Sequence, residues 1–410
     1  MARDGPVTNR RADDVESCAT GSGRANRGTR SYKIAIVLAG LNVGGVQRMR
    51  INLARVFIAK GLRVDFVARS MDGPMRETLP AGAEKFEFGR GNKITWFFGL
   101  LKYLRKNSPT HIMSAYDDIN IMVLMANWLL GSRSFVLVST HNALSKVRYE
   151  GGYWGRIKYY IILHCLSSLY RKAGAVVAVS QGLALELEEF AKLRPGSVQV
   201  IYNPVITSDF RSMCRSNESD KSTQVDATPL VGFFGRFHSQ KRVDVLLRAF
   251  ARARKVAHCR LLLVGEGEEE GRLRSLCSEL EIASYVVFHP FEMNPFPLMK
   301  RCQVVVLPSA YEGLGNVLIE AMACGTQVIS TDCPHGPREI LEDGQLGQLV
   351  AVGDVGGLAE AIRRTLTREF WIDEEALRSR GRQFSTEAGA TNYLKALGLS
   401  EAVNYGDMAR

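Results

Sequence analysis

Two charged clusters in this 410-residue chain have residue types and spacings suited to chemistry. The first is Phe233-Phe-Gly235-Arg236-Phe-His-Ser-Gln-Lys241-Arg242, in which fixed cations follow an apolar run. Arg236 and Lys241 could stabilise the negative charge that builds on a departing nucleoside diphosphate without a metal ion. The second is Pro308-Ser-Ala-Tyr-Glu312-Gly313-Leu314-Gly315-Asn316-Val-Leu-Ile-Glu320. Its glycines let backbone N–H groups approach a ligand, and a helix opening near Asn316 adds partial positive charge beneath them. Glu320, one turn into that helix, suits hydrogen bonds from a ribose diol, and Glu312 in the loop would face a sugar. Taken alone, the two acids read as a loop acid and a helix-face acid. Cations at a second strand end are what favour a site.

Opposite these, the turn Gly40-Leu-Asn-Val-Gly44-Gly45-Val-Gln47 could cradle phosphate, although its spacing is not the G-x-G-x-x-G of dinucleotide oxidoreductases. His141, in Ser139-Thr-His-Asn142, follows an apolar run and would reach a cleft from a strand end. A lone histidine is more often structural, so position must decide. There is no D-x-D triplet, no H-E-x-x-H and no clustered histidine, and the expectation is a reaction with neither metal nor other cofactor.

These residues need strand ends to hold them. Ile34–Leu38 reads as a buried parallel strand, followed by a helix over Val46–Ile58 and a strand over Val64–Ala68; runs at Phe135–Val138 and Ala175–Val179 continue the alternation. Residues 206–229 turn polar and predict a linker. The pattern then restarts: strand Leu230–Phe234, helix Val243–Val256, strand Leu261–Val264, helix Glu269–Leu280, strands Val286–Phe288 and Val304–Leu307, a helix from Asn316, strands Gln327–Thr331 and Gly347–Val350, and helix Asp354–Leu366. The expected fold class is α/β: two Rossmann-like doubly wound domains, 32–205 and 230–392, facing across a cleft, with 1–31 a disordered extension and 393–410 a tail. Ligands in such sheets sit at the carboxyl ends of the strands.

Together the motifs resemble the retaining glycosyltransferases of family 4, which have the two-domain GT-B fold. The matching pieces are Gly44-Gly45-Val46, His141-Asn142, Ile201-Tyr-Asn203-Pro204, Gly235-Arg236 with Lys241, the pair Glu312 and Glu320, and Gly336-Pro-Arg-Glu339-Ile-Leu341, in family order. The resemblance implies that Arg236 and Lys241 hold the donor diphosphate and Glu320 the ribose. It implies that Glu312, with the backbone of Gly313, Leu314, Gly315 and Asn316, holds the donor sugar. His141 would sit beside the reacting sugar, Gly44 and Gly45 would line the acceptor side, and Asn203 would join the substrate-binding set. Transfer would keep the anomeric configuration by front-face attack, the leaving phosphate assisting deprotonation of the acceptor. Two departures stand out: Arg242 where relatives commonly have glycine, and His289-Pro290 in place of a glycine-containing turn. Asn294–Lys300 and Asp332–Leu341 resemble transferases of bacterial surface polysaccharide or lipid-linked oligosaccharide. The implied partners are a nucleotide-sugar donor and a glycan or polyprenyl-pyrophosphate-linked acceptor, with no nucleic acid.

Charge is uneven. The chain carries a formal +11, and essentially all of it lies in residues 32–205. Such a half suits an anionic partner, an anionic membrane among them, or is a solubilising face. The stretch Arg156–Lys172 mixes apolar and aromatic residues with basic ends, fitting a membrane interface or a core helix. No apolar run reaches the roughly 20 residues of a spanning helix. The eight cysteines are scattered without a C-x-x-C, which points to a reducing, cytoplasmic setting; the resemblance to transferases of lipid-linked acceptors implies peripheral contact at the inner face of the membrane. An epimerase or phosphorylase on the same fold, or a non-catalytic nucleotide-sugar-binding subunit, are the alternatives.

Overall fold

Continuous apolar runs bury both faces of a strand and so call for a parallel sheet covered by helices. The computed structural model describes residues 32–42, 44–89, 91–143, 167–215 and 228–400. The extension 1–31 and most of Arg156–Lys172 lie outside the described residues. The first half contains β1 (Lys33–Leu38), α1 (Gly45–Ala59), β2 (Arg63–Ala68), β3 (Glu84–Glu87), α2 (Lys93–Asn107), β4 (His111–Ala115), α3 (Asp117–Leu129), β5 (Phe135–Thr140), β6 (Ala175–Ala178), α4 (Gln181–Phe190) and β7 (Val198–Val200). All seven strands are parallel, in the order β3-β2-β1-β4-β5-β6-β7. Three of them carry no clean apolar signal. β3 is a polar edge strand, β7 has three residues, and β4 carries His111 and Ser114 in a fully buried run.

A short helix α5 (Phe210–Met213) follows, and then the second half: β8 (Leu230–Phe234), α6 (Val243–Ala253), β9 (Arg260–Val264), α7 (Glu270–Glu279), β10 (Val286–His289), α8 (Phe296–Arg301), β11 (Val304–Leu307), α9 (Asn316–Cys324), β12 (Gln327–Thr331), α10 (Pro337–Ile340), β13 (Gln348–Val350), α11 (Val355–Leu366), α12 (Glu374–Arg382) and α13 (Thr386–Ala396). Its six strands run parallel in the order β10-β9-β8-β11-β12-β13. Both sheets reverse direction beside their first strand, the switch point at which doubly wound sheets bind ligands. Residues 32–400 of the described chain fall in one compact unit.

Two boundaries differ from expectation. Residues 206–215 are not a free linker: Ile206 bridges Ser385, Val205 N donates to Phe384 O at 2.9 Å, and Phe210 packs on Phe296 with ring centroids 4.6 Å apart. The second domain also does not end at 392 with a tail beyond it. Helix α13 returns to the first domain and packs on α1, where Tyr393, Leu394, Leu397 and Leu399 are buried in one apolar cluster with Ile36, Leu53 and Phe57. Tyr393 and Leu394 on the helix, with Leu397 and Leu399 just beyond it, form the apolar side that docks there. No helix among the described residues is long and apolar enough to cross a membrane.

Candidate functional site

The carboxyl ends of both sheets open on a single cleft of about 1510 Å³. From the second domain, β8 is followed directly by Gly235 and Arg236, and a 3₁₀ turn over Ser239–Lys241 aims Lys241 toward the loop after β11. Lys241 Nζ lies 2.6 Å from Glu312 Oε1, and Ser309 Oγ donates to the same oxygen at 2.6 Å. Gln240 links the two loops from both sides: its Nε2 donates to Tyr311 O, and its carbonyl accepts from Ala310 N, each at 2.9 Å. The carboxylate of Glu312 is therefore buried, with two donors on its Oε1. Arg236 is exposed and makes no side-chain ion pair among the described residues, which leaves its guanidinium available to an anion. Gly315, at φ +95°, starts α9, and the left-handed backbone there directs the first helical N–H groups at the cleft. Leu314 contributes backbone only, because its side chain is buried in the core.

Arg242 heads α6 at φ +47°, in the left-handed region where glycine is unstrained, and its guanidinium is tied to Asp244 at 3.1 Å. The departure noted in sequence thus keeps a glycine conformation with an arginine side chain turned away along the helix.

Glu320 is buried one turn into α9, and Arg48, reaching from α1 of the other domain, donates to its Oε1 at 3.1 Å and to Met293 O at 2.9 Å. Burial raises the Glu320 pKa, and the Arg48 charge draws it part of the way back.

The first domain closes tightly on this face. A Cβ on Gly313 would lie 1.9 Å from His141 O, and one on Gly45 would lie 2.9 Å from Asn316 Nδ2, so these glycines permit the approach of the two domains. Gly44 caps α1 beside them. Asn203 Nδ2 donates to Asn316 Oδ1 at 2.9 Å across the cleft. The His141 ring is buried, 2.9 Å from Ser139 Oγ, and burial, with the nearby Arg50 charge, holds its pKa well below the ordinary value.

Gly44, Gly45, His141, Asn203, Arg236, Lys241, Glu312, Gly313, Leu314, Gly315, Asn316 and Glu320 thus line one cleft. Sequence reasoning did not find Arg48, Arg50 or Tyr116. Tyr116 lines the cleft at φ +73°, a left-handed strand-to-helix turn for a bulky residue, and its ring faces His141 at 6.4 Å. Only the proximity of Arg48 to the Gly44-Gly45 turn could have flagged it.

Comparison with known proteins agrees with this geometry. Residues 43–209 match the model of Glycosyltransferase Family 4, and residues 228–368 match that of Glycosyl transferases group 1. The chain is 27% identical over 357 residues to the lipopolysaccharide core biosynthesis glycosyltransferase LpsE of Rhizobium meliloti, covering 86% of this chain and 96% of that protein. It is 26% identical over 247 residues to the N-acetylgalactosamine-N,N'-diacetylbacillosaminyl-diphospho-undecaprenol 4-alpha-N-acetylgalactosaminyltransferase of Campylobacter jejuni, covering 60% of this chain and 64% of that protein, just under two thirds of its length. Among solved structures, Anabaena HepE in complex with UDP-glucose shares the fold, with a TM-score of 0.67 at 18% identity over 92% of this chain and 100% of that one. Two parallel sheets facing across a cleft, with models of one enzyme group matched on both sides of it, show that the chain belongs to the family 4 glycosyltransferases of GT-B fold.

Proposed function

We propose that this protein is a retaining transferase that moves a hexose or N-acetylhexosamine from a nucleotide-diphosphate sugar to a glycan or polyprenyl-pyrophosphate-linked acceptor, in assembly of bacterial surface polysaccharide. The observation that carries the reading is Arg236, without an ion pair among the described residues, beside the Lys241–Glu312 pair, all at the mouth of α9. Arg236, the remaining Lys241 N–H groups and the α9 N-terminus stabilise the departing diphosphate, and Glu320 accepts from the ribose hydroxyls. Glu312 and the Gly313–Asn316 backbone hold the sugar. With charge stabilisation supplied by the chain itself, transfer needs no divalent metal. Mass spectrometry of products from a nucleotide-sugar panel with lipid-pyrophosphate acceptors, in excess EDTA, tests this. Transfer with retained configuration is expected; conversion of the donor without any acceptor, or activity restored only by Mg²⁺ or Mn²⁺, contradicts it.

The acceptor reading brings the enzyme to the inner face of a cytoplasmic membrane. Ile94 and Phe98 on α2 and Met125, Trp128 and Leu129 on α3 are exposed apolar side chains, and Lys102, Arg105, Lys106 and Lys172 lie on or beside the same helices, Lys172 4.6 Å from the Trp128 ring centroid. An apolar surface edged by cations suits anionic lipid. Co-sedimentation with vesicles containing phosphatidylglycerol should fall at high salt and in Phe98→Glu/Trp128→Glu; binding equal to wild type in that variant removes the surface from the account.

A further inference from the structure

Arg50 lies fully buried on α1, and no carboxylate pairs with it among the described residues. Its Nη2 donates to Ser139 Oγ and, at 3.3 Å, to Ser114 O; the Tyr393 ring covers the guanidinium at 5.1 Å; Nε and Nη1 find no partner there. Burying a cation without a counter-charge is costly, and an apolar side chain of similar size would serve packing better. The cation is therefore kept for its effect on what it touches.

That effect follows from counting protons. A guanidinium cannot accept, so Arg50 donates to Ser139 Oγ. Ser139 stands 2.8 Å from Ser114 O and 2.9 Å from His141 Nε2. The carbonyl can only accept, so it takes the one hydroxyl hydrogen. The second lone pair of Ser139 then faces Nε2, which must bring the proton. Nδ1 is left with its lone pair, and the Asn203 amide lies against the ring. Among the described residues, His141 Nδ1 and Asn203 Oδ1 are both without hydrogen-bond partners, while Asn203 Nδ2 faces Asn316 Oδ1. Turning both amides over gives these two atoms their partners: Asn203 Nδ2 donates to Nδ1, and Asn203 Oδ1 accepts from Asn316 Nδ2.

We propose that Arg50, acting through Ser139, holds His141 as the neutral ring protonated on Nε2, so that Arg50, Ser139, His141, Asn203 and Asn316 form one hydrogen-bonded chain from the first domain to the Glu312 loop of the second. Arg50 and Ser139 are positioning residues, and His141 is a link of fixed polarity that carries no proton during transfer. The groups around the ring agree with this: Arg50 on α1 opposes a second positive charge, Tyr116 on the α3 side stays neutral through burial, and Tyr393 on α13, also raised by burial, sits behind Arg50. Asp117, the nearest acid along α3, accepts from Thr140 and Tyr170, and Glu312 across the cleft is held by Lys241 and Ser309. The consequence for transfer rests on the functional reading above; the protonation state does not.

The test is long-range ¹H–¹⁵N correlation spectroscopy on the full chain labelled with ¹⁵N-histidine, His141 being assigned by His141→Gln. The wild type should show the neutral Nε2–H form of His141 from pH 8 to pH 6. Ser139→Ala should mix in the Nδ1–H form and lower transfer at least tenfold, and Ser139→Thr, which keeps the hydroxyl, should restore both. Arg50→Met, checked for folding by near-ultraviolet dichroism, should raise the pH at which His141 takes up a second proton. An Nδ1–H or doubly protonated ring in the wild type at pH 7, or an unchanged tautomer in Ser139→Ala, overturns the proposal. A protein with the expected tautomer but no transferase activity would overturn the functional reading instead.

Discussion

Lys241 has three ammonium hydrogens and gives one to Glu312, leaving two for a diphosphate. Two acids among residues meant to hold phosphates look self-defeating, and the geometry resolves the conflict: Glu312 is neutralised by Lys241, and Glu320 by Arg48. The raised pKa of Glu320 has a readable sign. Its carboxylate takes up a proton at higher pH than an ordinary glutamate, so donor affinity should fall as pH is lowered, starting above the usual carboxylate range. Calorimetry of nucleotide-sugar binding between pH 8 and pH 5 checks it. Glu320→Gln should flatten the dependence, and Arg48→Met should move the fall to higher pH; a flat wild-type profile contradicts the assignment. Glu312, Glu320, Arg236 and Lys241 were legible in sequence because each stands at a fixed spacing from a glycine or strand end. Arg48 and Arg50 were not, because their partners lie 245 and 64 residues or more away and nothing in the local pattern of α1 marks them.

At the scale of elements, the strands that were legible are the ones buried on both faces. Leu230–Phe234, Val304–Leu307 and Gln327–Thr331 were expected with the bounds they have. β3, with three of its four residues charged, draws its strand character from pairing with β2 alone, and only the sheet reveals it. Helix α13 is the larger miss. Its stripe of Tyr393, Leu394 and Leu397 has a helical period, but the surface it covers belongs to the opposite end of the chain. Leu394→Ala should therefore destabilise the first domain by about 2–5 kcal/mol, the range for an apolar side chain removed from a packed core. Urea denaturation followed by tryptophan fluorescence measures it, and a loss below about 0.5 kcal/mol would mean that the helix is only loosely docked.

In the whole molecule, neither domain carries the site alone. The second supplies cations, acids and a helix N-terminus, while the first supplies Arg48, the Gly44-Gly45 turn and the His141 backbone against which Gly313 closes. The doubled crossing at Ile206 and Ser385 joins them twice, and α13 makes the end of the second domain part of the core of the first. Two-domain order and the cleft were legible from the restart of the strand–helix pattern. The double crossing was not, since a polar linker composition says nothing about what docks beside it. The central claim is that Arg236 and Lys241 stabilise the leaving diphosphate, and steady-state transfer by Arg236→Ala and Lys241→Ala against wild type tests it most directly. Each variant should lose about 10²–10³ in kcat, Arg236→Ala with its folding transition unchanged and Lys241→Ala with a lowered one, because Glu312 is then left buried without its cation, whereas kcat within about twofold of wild type in both would contradict the account.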